Sequence, residues 1–209
     1  NLADGQHRLA SIIESGCPYL MRVERGLTSE HAYGIDAHRM RRATDQIRIH
    51  GGNDWITGSD VAIARMLYEV QNKLSGSGVS LPPSLLTDIC NTYKERLEFV
   101  KSAMPSSKKY ISTTPVRLAV LIASGFEDHE KLRRFCKVLD SGLSESQQEL
   151  AAIRLRERLL RDGRAFNSGG GGRAMALRFS MRAIKAFCAG TVLKSLVDPV
   201  SMPYDPSGV

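Results

Sequence analysis

Asp4-Gly5-Gln6-His7-Arg8, near the start of the chain, combines the side chains and the backbone freedom that a phosphate site needs. Glycine lets a backbone approach a ligand closely, and a turn-prone Asp before it is a good helix N-cap. Leu9, Ala10, Ile12 and Ile13 then recur at helical spacing up to Gly16, so the motif opens a helix. The N–H groups and the positive dipole end at such a start attract an anion. Arg8 adds a forked donor that matches phosphate oxygens, and His7 adds another hydrogen bond. In this reading Gly5 and the N–H groups after it cradle the phosphate, and Gln6 reaches a ribose or phosphate oxygen. The same residues also read as a capped helix with an exposed polar first turn.

The motif resembles the signature of the DGQHR proteins, a phage and bacterial branch of the ParB/sulfiredoxin superfamily. Arg25-Gly26-Leu27, Ile35-Asp36, Arg41 and Asp45 follow in the order of ParB-like proteins. Leu155-Arg156-Glu157-Arg158-Leu159 and Lys185-Ala186-Phe187-Cys188-Ala189-Gly190 are similar to the helical tail of that group. The likeness is dense over residues 1–45 and thinner beyond, and Ala37 and His38 depart from the pattern. It implies a small sulfiredoxin-like α/β head that binds ATP or CTP with Mg²⁺, as a switch or as a phosphoryl source. An NTPase or a phosphotransferase would then use Asp4 and His7 as its catalytic groups, with Asp4 as base or as a metal ligand through water. The family's pocket strands precede the motif, so a segment upstream of Asn1 is expected. Arg25 and Arg41 are further phosphate candidates. Each also has a plain structural reading: Arg25 as a surface residue at a turn, Arg41 as the partner of Asp45 four residues on.

The net charge of +7 on 209 residues is unevenly placed. Arg154, Arg156, Arg158, Arg161, Arg164, Arg173, Arg178, Arg182, Lys185 and Lys194 face only Glu157 and Asp162 in that stretch. Such an excess attracts polyanions, and DNA is the expected partner; the plainer reading is a solvated helix face. Cys17, Cys90, Cys136 and Cys188 are far apart with no C-x-x-C pair, which argues against structural zinc and for reduced thiols in the cytoplasm. Cys17 itself reads as a small buried thiol. No apolar run approaches the roughly 20 residues of a membrane span. His50 and His129 are isolated, and no spacing supports a Ser/His/Asp triad.

These residues need elements to position them. A helix is expected over 8–15, a strand at Tyr19-Leu20-Met21-Arg22-Val23, a short helix over 30–33, a strand end at Ile35-Asp36 and a helix over 39–49. The capping cluster Thr57-Gly58-Ser59-Asp60 opens a helix reaching residue 74, and Pro82-Pro83-Ser84 opens one reaching residue 100. Thr113-Thr114-Pro115 starts another, with Pro in the first turn. Helices over 127–139, 144–160 and 173–196 follow. Asn167-Ser168-Gly169-Gly170-Gly171-Gly172-Arg173 lacks the Lys-Ser/Thr ending of a P-loop and reads as a flexible connector that could drape over a nucleic-acid backbone. Trp55 is expected to pack the head against the body.

The expected fold class is α+β, mostly α, with an α/β head over 1–52, a basic helical domain over 53–197 and an irregular tail over 198–209. The expected function is a ParB-like nucleotide-binding protein, able to form a homo-oligomer, that associates with DNA. The rivals are a small-molecule or nucleoside kinase, a non-enzymatic DNA-associated regulator or accessory factor in DNA modification or defence, and a partner-docking protein. The expected nucleic-acid contacts are Arg154, Arg158, Arg161, Arg164, Arg173, Arg178, Arg182 and Lys185.

Overall fold

The computed structural model describes residues 5–27, 43–51, 53–74, 80–197, 199 and 201–206. The helices among them are α1 (Gln6–Ser15), α2 (Ala43–Gly51), α3 (Gly58–Gln71), α4 (Pro83–Thr92), α5 (Lys94–Ala103), α6 (Thr114–Ala123), α7 (His129–Ser141), α8 (Leu150–Phe166) and α9 (Gly169–Cys188). A 3₁₀ turn, Gln147–Glu149, precedes α8. The chain divides into one unit over 1–52 and another over 53–209. No described helix is long and apolar enough to cross a membrane.

In the larger unit α6 reads Thr-Pro-Val-Arg-Leu-Ala-Val-Leu-Ile-Ala, apolar on every side, so it has no face to give to water. Its residues from Pro115 to Ala123 are buried, Arg117 excepted. The other helices surround it: α3, α5 and α9 pack on α6, α8 packs on α9 and α7, and α4 packs on α3. Each Leu or Ile buried this way contributes about 1.5–3 kcal/mol.

Polar groups fix how the surrounding helices begin. Thr57 and Asp60 form a reciprocal capping box at α3, with Asp60 Oδ2 accepting from Thr57 N at 2.7 Å. Asp60 is only 1% exposed, and a buried carboxylate needs a partner. Lys101 of α5 supplies it at 2.8 Å and also donates to the Trp55 carbonyl. Lys94 and Lys101 lie 5.3 and 5.1 Å from the Trp55 ring, so that ring meets cations of α5. Arg117 gathers the chain ahead of α6, donating to the carbonyls of Ser112, Met104 and Ser106 and to Ser59 Oγ. Burial lowers its pKa, and the charge of Asp60 works against that shift.

The α+β expectation is corrected: among the described residues there is no strand, and the fold is all-α. Residues 19–23 carry the alternation of a strand, but no described segment forms a ladder with them. Tyr19, Leu20 and Val23 are 73%, 97% and 62% exposed, so the alternation marks no buried face. Alternation selects a side of a strand, whereas the strand itself exists only through its partner's hydrogen bonds. The short helix at 30–33 and the strand end at Ile35-Asp36 lie outside the described residues. The N-cap of α1 is Gly5, one residue past the expected Asp4.

Boundaries moved elsewhere too. The helix expected over 82–100 breaks at Tyr93, which accepts a hydrogen bond from Gln71 of α3. The glycine run is not a loose connector, because Gly169–Gly172 forms the first turn of α9. Propensity disfavours this, but packing imposes it. A Cβ on Gly172 would run into the carbonyl oxygen of Ala165, so α8 and α9 meet there backbone to backbone.

Adjacent glycines therefore predict opposite signs. Gly171 has open space around a Cβ, and Gly171→Ala should raise stability by about 0.5–1 kcal/mol through helix propensity. Gly172→Ala should lower it by about 1–3 kcal/mol through overpacking against Ala165. Urea unfolding of both variants checks the pair, and equal effects would contradict the backbone contact.

Candidate functional site

Two sets of residues carry the expected chemistry, and they are positioned by different means. The first lies on α1. Gly5 takes a left-handed conformation (φ 89°, ψ 12°) that glycine adopts without strain, and its carbonyl accepts the first helical bond from Leu9 N at 2.9 Å. Glycine brings no side-chain acceptor to the first turn, and no acid stands there. Gln6, His7 and Arg8 are exposed in that turn.

Four-residue spacing then puts His7, Ser11 and Ser15 on one side of α1, with Arg8 and Ile12 beside them. Gly16 ends the helix in a left-handed turn, its N–H donating to Ile12 O at 3.0 Å, and Cys17 N donates to Ser15 Oγ at 3.3 Å. The chain thereby folds back so that Cys17, Pro18 and Tyr19 close a groove of about 440 Å³ with His7, Arg8 and Ser11. One guanidinium, one imidazole, the hydroxyls of Ser11, Ser15 and Tyr19 and a thiol share this lining with Ile12 and Pro18.

Of the residues expected here, His7 and Arg8 line this groove, while Gly5, Gln6 and Arg25 do not. Asp4, Asp36 and Arg41 lie outside the described residues. The groove offers no carboxylate among its lining residues, and no cluster of three His, Cys, Asp or Glu able to hold a metal occurs among the described residues. The lining of this groove therefore supplies phosphate donors and no carboxylate. Sequence reasoning misses Ser11 and Ser15, although their four-residue spacing from His7 gives the signal. Cys17 is exposed, not buried as expected, because α1 buries none of its residues and the turn at Gly16 holds the thiol outward.

The second set lies on α8 and α9, where structure sorts the basic residues by what they touch. On α8, Ala151, Ala152, Leu155, Leu159, Gly163 and Phe166 face inward. Arg154, Glu157, Arg161 and Arg164 are all exposed and recur at three- and four-residue spacing, which makes one outward stripe. Arg154 pairs with Glu157 at 2.9 Å and Arg161 with Asp162 at 3.2 Å, both exposed pairs of little energetic weight. Arg164 makes no ion pair among the described residues.

Other cations serve the fold. Arg156 donates to the carbonyls of Leu139 and Asp140, capping the C-terminal end of α7. Arg158 pairs with Asp162 at 2.6 Å and lies 5.1 Å from the Phe179 ring, so it bridges α8 to α9. On α9 the outer edge carries Arg178, Arg182 and Lys185, and Lys185 donates to the Pro203 carbonyl at 3.1 Å. Arg173 follows the glycine turn, and Lys194 lies beyond the end of α9. Tertiary contact thus removes Arg158 and Lys185 from the freely available set, whereas Arg154, Arg161 and Arg164 still point outward.

Thiol accessibility separates Cys17 from the rest. Burial pushes Cys90, Cys136 and Cys188 up to about 12. The folded protein should give a single fast thiol equivalent with an aromatic disulfide reagent, and Cys17→Ser should remove it. The other three should appear only on unfolding, and a second fast native thiol would contradict their burial.

Compared with known proteins, the chain matches no protein-family model, no curated protein and no solved structure.

Proposed function

We propose that this protein associates with DNA through the α8–α9 helical hairpin, reading the sugar-phosphate backbone and not the bases. The observation that carries this reading is the outward stripe of Arg154, Arg161 and Arg164, opposed by Glu157 within the stripe and by Asp162 beside Arg161. A guanidinium pairs with phosphate oxygens through two donors, and exposed carboxylate pairs exchange readily for phosphate. Ten residues of helix set the ends of the stripe about 15 Å apart, enough to meet several phosphates along a duplex. The resemblance at the DGQHR motif points the same way.

The test is fluorescence anisotropy of a short labelled duplex, with wild type and with Arg154→Ala/Arg161→Ala/Arg164→Ala, across a salt series. Wild type should weaken steeply with salt. The triple variant should keep its fold, because the replaced side chains are exposed, and should flatten the log–log slope by roughly 2–3, about 0.9 for each lost phosphate contact. A flat wild-type response, or an unchanged slope in the variant, would overturn the reading.

A second element concerns α1. We propose that the groove beside His7 and Arg8 takes the phosphate of a nucleotide, ATP or CTP, with Ile12 and Pro18 flanking its less polar part. The observation favouring it is that the guanidinium, the imidazole and the hydroxyls of Ser11 and Ser15 share one groove along α1. Calorimetric titration of ATP and CTP should show binding that Arg8→Ala abolishes. Equal binding by Arg8→Ala would place the nucleotide elsewhere, and no binding would leave α1 as a capped polar helix.

A further inference from the structure

We infer that Lys109, on the turn before α6, is a further phosphate contact of the nucleic-acid surface, held beside the α8 stripe by the ring of Tyr110. This inference rests on the nucleic-acid reading of α8 and α9, and it adds a cation from outside that hairpin.

The turn is fixed at both ends. Lys108 Nζ donates to the Asp140 carbonyl at 2.9 Å and pairs with Asp140 Oδ2 at 3.0 Å, and its N–H donates to Ser112 Oγ. Its carbonyl accepts from Ile111 N and Ser112 N, and Ile111 is 1% exposed. Between these anchors Tyr110 takes a left-handed conformation, φ 68°, which a bulky side chain rarely adopts. Such a conformation persists only where its surroundings over-determine it, and it clusters at functional sites. Here the surroundings include α8. A Cβ on Gly163 would run into the Tyr110 ring, so the ring lies directly on the backbone of that helix.

Tyr110 in turn places a cation. Lys109 is exposed, and its Nζ lies 5.1 Å from the centre of the Tyr110 ring. It makes no ion pair among the described residues, whereas Lys108 beside it is paired with Asp140. The two rows flanking Gly163 on α8 differ. Leu159 and Phe166 on one side are 1% and 4% exposed and closed into the core, while Leu160 and Arg164 on the other side are exposed. The exposed ammonium on the Tyr110 ring therefore opens on the Leu160–Arg164 side, which is the side of the stripe. Lys109 and Arg164 approach one flank of α8 from two elements. An ammonium over a ring keeps its N–H donors for phosphate oxygens.

The test is anisotropy on the same labelled duplex across salt, with the full chain carrying Lys109→Gln, Gly163→Ala or both. Lys109→Gln alters an exposed side chain, and should flatten the log–log slope by about 0.9, one phosphate contact. Lys73→Gln, the same charge change at an exposed lysine just past α3, should leave the slope as it is. Gly163→Ala pushes the Tyr110 ring off α8. Folded by circular dichroism, it should flatten the slope as much as Lys109→Gln does, and the double variant should flatten it no further. If Gly163→Ala does not fold, Lys109→Gln against Lys73→Gln decides. A wild-type slope for Lys109→Gln, or an equal loss in Lys73→Gln, overturns the inference while leaving the DNA association of the stripe standing. A wild-type slope for folded Gly163→Ala overturns the placement by Tyr110. Binding by none of the proteins overturns the nucleic-acid reading, and the Lys109 contact with it.

Discussion

The larger unit depends on the burial of α6. A ten-residue helix without a polar face can exist in water only if other helices enclose it, and the placement of α3, α5 and α9 answers that need. Its single charge, Arg117, stands at the end where the chain enters and donates to three carbonyls of the chain before the helix. The same residue that breaks the apolar pattern thus ties the preceding loop to the helix. Loss of its fork would cost more than loss of its charge, because the acceptors it satisfies are fixed by the backbone.

Around that centre, positive charge is divided between holding the fold and facing outward. Lys101 neutralises buried Asp60, Arg156 closes the end of α7, and Arg134 pairs with Glu149 at 2.6 Å and Glu145 at 3.0 Å. The hydrogen bonds from Arg134 hold the Glu149 carboxyl below its usual value of 4.5. A carboxylate depressed on folding stabilises the native state above that value and ceases to do so as pH falls through the lower folded one. The basic residues are therefore divided in use, and on α8 the exposed ones, Arg154, Arg161 and Arg164, fall in one stripe.

Some of this organisation could be read from residue order and some could not. Thr57 and Asp60 announce a helix start because capping chemistry is local, and Pro115 does so because it fits only a first turn. The apolar run from Val116 to Ile122 likewise marks a buried helix. The segment around Tyr19-Leu20-Met21 misleads because its alternation is local while a sheet is not. The glycine run misleads in the opposite direction: intrinsic preference argues against a helix, and only the approach of Ala165 to Gly172 makes one. Charge placement shows where arginines gather but not which of them are spoken for. Arg156 and Arg164 look alike in sequence and differ entirely in what they touch. The groove on α1 was half legible, since His7 and Arg8 stand out by type whereas Ser11, Ser15 and Cys17 join them only through helical spacing and the turn at Gly16.

The bare backbone contact between Ala165 and Gly172 has a mechanical consequence. At that point no side chain lies between the two helices, and a shift of α9 by one residue toward its N-terminus would drive the Arg173 side chain into the position that only glycine fits. The contact thereby sets the register of the hairpin, and with it the spacing of the cations on its two helices. Under the proposed reading, a nucleic acid laid across cations held in that register would do the bending, and its compliance would become part of what is selected.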